Sequence, residues 1–357
     1  MNNIYFDNAA TTYPLYNIKP LYNNYFYNSN AQYSKGVSVY QLNHNIRNQI
    51  KKILNVESGK VIMGGTTSQL IFYLINKYRS YNFNSYIYVS PFEHECIYKY
   101  KDGVLKNNSY LYENDMIFHL YTNNLTGECY DLTSLSKLCH KKYSFLISDC
   151  TATIGHISLP RNIEKLYDCI VASAHKFHGP QNTGFMWISD RLCNCLHLND
   201  TESNEYGLID GTSAVMNNIA MIDSLFMTTN NFNLTEKVKY ADYMYQLFQQ
   251  YNINVKRITS ANFDNLSPDI HAIYIPGIKA VGLVEYLSNH NISISAFHSA
   301  CSHKTDYRLA QAIGISPEIA DQTIRVSFSH LNLYNKEYEL LTFVKEIKNF
   351  IDQYVVA

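Results

Sequence analysis

A lysine closes Ser173-Ala174-His175-Lys176, directly after the apolar run Cys169-Ile170-Val171-Ala172. An aspartate, Asp149, closes another mainly apolar run, Phe145-Leu146-Ile147-Ser148, 27 positions earlier. An amine at a strand end can condense with an aldehyde to form an imine. A carboxylate at the end of a neighbouring strand can hold a pyridine nitrogen protonated. These are the two protein groups that pyridoxal phosphate (PLP) chemistry most needs. Taken singly, Lys176 reads as a surface lysine and Asp149 as a strand cap. The other residues along the chain give the pair its weight.

Gly64-Gly65-Thr66-Thr67-Ser68 follows an apolar strand candidate and opens a helical stretch. Glycines allow close backbone approach, and free N–H groups, the helix dipole and hydroxyls suit a phosphate. A plain capped helix start has the same letters. His94, in Pro91-Phe92-Glu93-His94-Glu95, lies just past a strand candidate, where an imidazole can stack on a flat ring and shuttle a proton. Asn123-Asn124 follows the next strand candidate and offers amide donors, or else an Asn-rich turn ahead of Thr126-Gly127. Cys301 sits in Ser299-Ala300-Cys301-Ser302-His303, three residues past His298, so an accessible thiolate there could be a nucleophile. Cysteine and histidine also adjoin at Cys193-Asn194-Cys195-Leu196-His197, but without the second, well-separated ligand pair that zinc sites usually show. No metal is therefore expected. Arg325, in Thr323-Ile324-Arg325-Val326-Ser327, carries a planar fork of donors suited to a carboxylate.

The elements that must position these residues are legible as an alternation. Strand candidates fall at Val61-Ile62-Met63, Tyr86-Ile87-Tyr88-Val89, Met116-Ile117-Phe118-His119-Leu120, Ser144-Phe145-Leu146-Ile147, Cys169-Ile170-Val171-Ala172 and Phe185-Met186-Trp187-Ile188. Between them, 68–78 and 132–140 carry apolar residues near helical period. Such alternation predicts an α/β fold, a mostly parallel sheet with helices on both faces, whose ligands bind beyond the carboxyl ends of the strands. Past residue 233 the pattern changes. Helix 236–251 leads into strands at 254–256 and 271–275, then helix 280–289, strands at 292–296 and 324–328, and a terminal helix 336–354. We expect a large domain over 14–233 and a smaller α+β domain made of 1–13 with 234–357. A length of 357 residues suits two cores. A net charge of −1 gives no bulk attraction to nucleic acid or an anionic membrane. The eight cysteines lack framework spacing, the start lacks a signal-peptide pattern, and no apolar run reaches membrane-helix length, so a cytoplasmic address is expected.

In order, these pieces resemble the cysteine desulfurases, class V aminotransferases on the fold-type-I PLP scaffold with its seven-stranded sheet. The resemblance spans essentially the whole chain. It is carried by Tyr5-Phe6-Asp7-Asn8-Ala9-Ala10-Thr11-Thr12, Asn28 to Gly36, Arg47-Asn48-Gln49-Ile50, Thr122 to Gly127, Ser173 to Lys176 with Gly179-Pro180, Gly211-Thr212, Ser299-Ala300-Cys301 and Thr323-Ile324-Arg325. It implies that Lys176 binds the PLP aldehyde, Asp149 pairs with the pyridinium nitrogen and His94 stacks on the ring. Thr66, Thr67, Ser173 and His175 would hold the phosphate, and Thr212 the phosphate of the other subunit of a homodimer. Asn124 would contact cofactor or substrate, and Arg325 the carboxylate of L-cysteine. Cys301 would take the substrate sulfur as a persulfide and hand it to an acceptor protein, leaving alanine. The chain departs from the pattern at Ala152, where the family usually has glutamine. It departs also at Ser68, at Thr201-Glu202-Ser203, at Ile209 and in a slightly shorter stretch after Cys301. These departures keep open another class V activity, such as a C–S or selenocysteine lyase or a biosynthetic aminotransferase.

Overall fold

The computed structural model describes residues 3–15, 17, 19–82, 84–106, 109–198, 205–260, 265–299, 307–329, 331 and 335–355. It divides into two compact units, one of residues 13–121 with 130–232, the other of residues 1–12, 122–129 and 233–357. The segment 122–129, which contains Asn124, thus belongs with the second unit.

The first unit is built on a sheet of seven strands: β1 (Lys60–Gly64), β2 (Ile87–Val89), β3 (Gly103–Val104), β4 (Met116–Phe118), β5 (Phe145–Asp149), β6 (Cys169–Ser173) and β7 (Gly184–Ile188). Their order is β1-β7-β6-β5-β4-β2-β3, with β7 antiparallel to both neighbours and the other pairings parallel. The mostly parallel α/β sheet expected from the sequence is present. The edge strand β3 is an addition, two residues long and half-buried.

Side-chain alternation divides each strand between two apolar layers. Val61, Met63, Leu146, Ile170 and Trp187 pack on one face, with Ile46 and Ile50 of α1 (Ser34–Leu54) and Met221 and Leu225 of α4 (Val215–Asn230). Ile62, Ile147, Val171 and Met186 pack on the other, with Leu70, Leu74 and Tyr78 of α2 (Thr67–Tyr81). A shorter helix, α3 (Thr133–Lys142), connects β4 to β5. Because both faces are covered, the strands read as unbroken apolar runs.

The second unit has an antiparallel sheet of β8 (Lys256–Arg257), β9 (Ile270–Tyr274), β10 (Ser295–Ala296) and β11 (Thr323–Ser327), in the order β10-β11-β9-β8. Ile4–Tyr5 pairs in parallel with Ile292–Ser293, tying the chain start to this unit. Helices α5 (Leu234–Gln250), α6 (Ala280–Asn289) and α8 (Lys336–Tyr354) supply Met244, Phe248, Leu283, Phe343 and Ile347 to its core; a short α7 (Pro317–Asp321) precedes β11. Within this unit Lys237 Nζ lies 2.6 Å from Asp269 Oδ2, the two side chains only 1% and 2% exposed. Removing one partner of so deeply buried a pair strands the other charge. Lys237→Met is therefore expected to lower unfolding free energy by about 3 kcal/mol, read as a reduced denaturant midpoint at unchanged slope. A wild-type midpoint would show that the pair contributes nothing.

Candidate active site

In the first unit the sheet delivers polar groups to the carboxyl ends of β1, β5 and β6. β5 and β6 run parallel, with Asp149 in register with Val171, so Asp149 and Ser173 end adjacent strands. Lys176 follows in a single 3-10 turn, Ala174–Lys176. That turn is held at several points. Ala174 N donates to Thr183 O (2.9 Å), and Ala174 O accepts from Phe177 N (3.0 Å) and Gly179 N (2.8 Å). His156 Nε2 lies 2.6 Å from the Lys176 carbonyl oxygen, and as donor it pins the lysine's main chain. A Cβ on Gly179 would come within 2.7 Å of the Ala174 Cβ, so only glycine lets the chain fold back this closely. The backbone that carries the amine is thus fixed.

Asp149 is buried, and its Oδ1 accepts the Thr151 N–H at 2.8 Å. Thr151 Oγ1 in turn meets Thr67 Oγ1 at 2.9 Å, joining the end of β5 to the first residue of α2. Thr66 caps α2 in a capping box: its hydroxyl accepts from Gln69 N, and Gln69 Oε1 accepts from Thr66 N at 3.0 Å. The capped-helix reading of this motif therefore holds. The cap uses the Thr66 hydroxyl and N–H, and the first-turn amides of Thr67 and Ser68 remain at the positive end of a 15-residue helix.

The first strand needs support, because β1 lies at the sheet edge. Arg47 and Glu205 provide it. Arg47 Nε donates to Val61 O (3.1 Å), Glu205 Oε2 accepts from Met63 N (2.8 Å), and Arg47 Nη2 meets Glu205 Oε1 at 2.5 Å. Burial raises the Glu205 carboxyl and the Arg47 charge lowers it; burial is the larger effect. The same stretch continues to Gly211, at φ +109°, and exposed Thr212. Ser213 Oγ beside them accepts from Asn43 (3.0 Å) and Asn218 (3.1 Å).

His94 begins a one-turn helix, Glu95–Tyr98, and its Nδ1 accepts the Cys96 N–H at 3.2 Å. That contact assigns the neutral ring its proton on Nε2. His175 is pushed down to about 4, by burial first and the Lys176 charge second. His119, at the end of β4, is also lowered to about 4 by burial, its Nδ1 2.8 Å from Leu120 O and its ring edge-on to Tyr130.

In the second unit Arg325, on β11, is fully buried. Nη2 lies 2.6 Å from Asp7 Oδ1, and Nη1 donates to the Asn124 carbonyl oxygen at 3.2 Å. Its Nε has no partner among the described residues. Ser295 Oγ donates to the same Asp7 oxygen at 2.8 Å. Asn124 sits in a turn closed by Asn123 Oδ1, which accepts from Leu125 N (2.9 Å) and Thr126 N (3.3 Å). The structure thus gathers Asp149, Ser173, Lys176, Thr66, Thr67 and His175 about neighbouring strand ends of one unit, and links Arg325 to Asn124 in the other. Cys301 and Thr201-Glu202-Ser203 lie outside the described residues. Sequence reasoning missed His156, Asp7 as a partner of Arg325, and the Arg47–Glu205 pair. Asp7 and Arg47 were visible only as letters of longer motifs, and His156 carried no signal.

Buried neutral histidines leave a signature in solution. Unfolding releases His119 and His175 to the ordinary value of 6.5, so the unfolded chain binds more protons below that pH. Stability is expected to be fully present above pH 6.5 and to fall as pH drops toward 4, with His119→Gln flattening part of the slope. Urea midpoints taken across that range check this, and a flat wild-type profile would contradict it.

Residues 109–341 match the family model described as Aminotransferase class-V. Cysteine desulfurase IscS of Buchnera aphidicola subsp. Acyrthosiphon pisum is 24% identical over 390 aligned positions, covering 98% of this chain and 92% of that protein. A NifS-like protein from Rickettsia africae superposes with a TM-score of 0.80 at 21% identity, over 98% of this chain and all of the other. SspA, solved in complex with cysteine, superposes with a TM-score of 0.71 at 16% identity, over 91% of this chain and 98% of that one. With its family match spanning well over half the sequence, on a sheet of this order, the chain belongs to the class V aminotransferases.

Proposed function

We propose that this chain is a PLP-dependent cysteine desulfurase, converting L-cysteine to L-alanine and keeping the sulfur as a persulfide on Cys301 for delivery to an acceptor protein. The observation that carries the reading is the placement of Asp149 and Lys176 just beyond the carboxyl ends of adjacent parallel strands, in a class V chain. Relatives named as cysteine desulfurases support the choice of reaction, and a neighbouring fold named as a cysteine complex supports the choice of substrate.

The residues fit the cofactor. Asp149 Oδ1 is engaged by Thr151 N, while Oδ2 has no partner among the described residues and suits a ring N–H. At Gly65 an added Cβ would fall 1.6 Å from Gln69 Oε1, so a larger residue there would displace the glutamine side chain that completes the α2 capping box. When bound, PLP supplies an aldehyde that joins an amine and a protonated ring that withdraws electrons from the α-carbon. Lys176 would hold the aldehyde and later move the α-proton, on a backbone fixed by His156. His94 would cover the ring with Nε2–H forward. Thr66, Thr67, Ser173 and His175 would bind the phosphate, with His175 neutral and therefore a donor from one nitrogen only. Exposed Thr212 would reach the phosphate of a second copy, in a homodimer.

Arg325 would receive the substrate α-carboxylate through Nε, with Asp7 orienting the guanidinium from the far side, and Asn124 would contact cofactor or substrate. The Cys301 thiolate would attack the γ-sulfur. The C–S bond breaks, an S–S bond forms, and the three-carbon remainder is protonated and leaves as alanine. Ala152 has no side-chain amide, so this chain would hold the cofactor's phenolic oxygen with one hydrogen bond fewer than the family pattern implies. The described cysteines are free thiols, in keeping with a reducing, cytoplasmic address. Among the described residues no helix is long and apolar enough to cross a membrane.

Purified protein supplied with PLP, L-cysteine and a reductant is expected to release alanine and sulfide in equal amounts. Lys176→Ala should abolish both, and Cys301→Ala should cost at least about 100-fold in turnover. Alanine release no greater than that of Lys176→Ala would overturn the proposal. Near-normal C–S cleavage by Cys301→Ala would point instead to a lyase working by β-elimination.

A further inference from the structure

We infer that Arg47 and Glu205 hold residues 205–213 as a preformed arm whose exposed tip completes the phosphate site of a second copy of this chain. Both are then positioning residues that act across the dimer. The inference rests on the homodimer and the Thr212 contact proposed above, and it names what makes that contact possible. The arm begins in a strained turn. Glu205, Tyr206 and Gly207 are three successive left-handed residues, at φ +43°, +58° and +76°. Two of them carry side chains, which rarely adopt that region, so local preference does not keep the chain there. Contacts from outside the segment must do so.

The arm is gripped at both ends. At its start, Arg47 Nη2 meets Glu205 Oε1 at 2.5 Å, and Glu205 Oε2 accepts from Met63 N at 2.8 Å. The Tyr206 ring takes two cations, Lys60 Nζ 4.6 Å and Arg47 Cζ 5.6 Å from its centroid. Lys77 Nζ donates to Gly207 O at 3.4 Å. At the far end Asn43 Nδ2 donates to Ser213 Oγ at 3.0 Å, and Asn218 Nδ2 donates to the same oxygen at 3.1 Å. Asn43 and Arg47 are one turn apart on α1, so a single helix face sets the distance between the two grips. Midway, Ile209 Cδ1 lies 3.0 Å from the point a Gly64 Cβ would occupy, so the arm rests on the end of β1.

What the grips leave outside is the tip, Asp210, Gly211 and Thr212, all exposed. A Cβ added to Gly211 would meet no atom within 4 Å, so the tip projects into open space. A strained segment, anchored twice and ending in an exposed tip, is built for a contact outside its own chain. The second copy is the occupant that the same helix supports. Tyr33, Val37 and Tyr40 are exposed along α1, an apolar stripe of the kind that a subunit interface covers. A tip already fixed in place loses little freedom when the copies dock, and that is what the two grips contribute. Without Arg47 the buried Glu205 carboxylate loses its charge partner, and the strained turn loses its main restraint.

Arg47 also holds its own chain's β1 through Val61 O, so mixed dimers of the full-length chain are needed to separate the two effects. The readout is the PLP concentration that half-saturates the borohydride-fixed label on Lys176, counted by mass spectrometry. Wild type paired with Lys176→Ala is the reference. In Arg47→Met homodimers that concentration should rise about tenfold, the worth of one hydrogen bond to a charged group. Pairing the Arg47→Met chain with a Lys176→Ala chain, whose arm is intact, should restore the reference value. Pairing a wild-type chain with one that carries both Arg47→Met and Lys176→Ala should raise it about tenfold, although the labelled chain is itself unaltered. Glu205→Gln should follow Arg47→Met, and Arg47→Lys should recover part of the affinity. Thr212→Val, at an exposed position that folding does not need, should give the same crossed pattern. A loss that stays with the chain bearing the substitution would overturn the inference. So would an unaltered half-saturation in the variant homodimers, or a wild-type protein that sediments as a monomer at saturating PLP. Wild-type dimers that leave Lys176 unlabelled would mean that the PLP reading itself has failed, and the role of the arm with it.

Discussion

The parallel register of β5 and β6 is the constraint on which the site depends. With Asp149 opposite Val171, the two strands end side by side, and the next residues of each emerge from the same edge of the sheet. A carboxylate and an amine placed by adjacent strands need no long loop to bring them together. What remains is to stop the lysine's backbone from wandering, and the turn Ala174–Lys176 does this with main-chain hydrogen bonds and the His156 contact to the Lys176 carbonyl. The Lys176 Cα is thereby held in place. A fixed backbone suits a residue proposed both to hold an aldehyde and to carry a proton.

Much of this was readable from the chain because buried parallel strands have unbroken apolar runs, and polar residues at their ends stand out against them. The terminal helix at 336–354 and helix 280–289 were readable for a similar reason, through clean apolar periodicity. Other features hid for physical reasons. The buried positions of α1 include Asn43, whose amide serves Ser213 and Asn218 and breaks the apolar stripe. β3 is two residues long, too short for any alternation to show. Asp7 and Arg325 are 318 positions apart, and nothing local in either segment announces the other. His156 gives its nitrogen to a main-chain carbonyl, a role open to many residue types, so its identity carries no message in advance.

The ion pairs of the two units show a common solution to one problem. Arg47 and Glu205 satisfy the open backbone edge of β1, including the N–H of Met63, so that the strand leading into the Gly64-Gly65 turn is held on both sides. Asp7 and Ser295 do the same for one side of the Arg325 guanidinium, aiming its remaining donor. In each case a charged group that binds nothing from outside fixes the orientation of one proposed to do so. The departures from the family pattern at Ala152 and Ile209 leave these supports untouched.

The account turns on Lys176 being the residue that holds the cofactor aldehyde. Borohydride reduction of the PLP-loaded protein, followed by proteolysis and peptide mass spectrometry, tests this directly, because reduction makes the linkage permanent. A single pyridoxyl group on the peptide containing Ser173-Ala174-His175-Lys176 is the expected result. A label on any other lysine, or none despite saturating PLP, would contradict it.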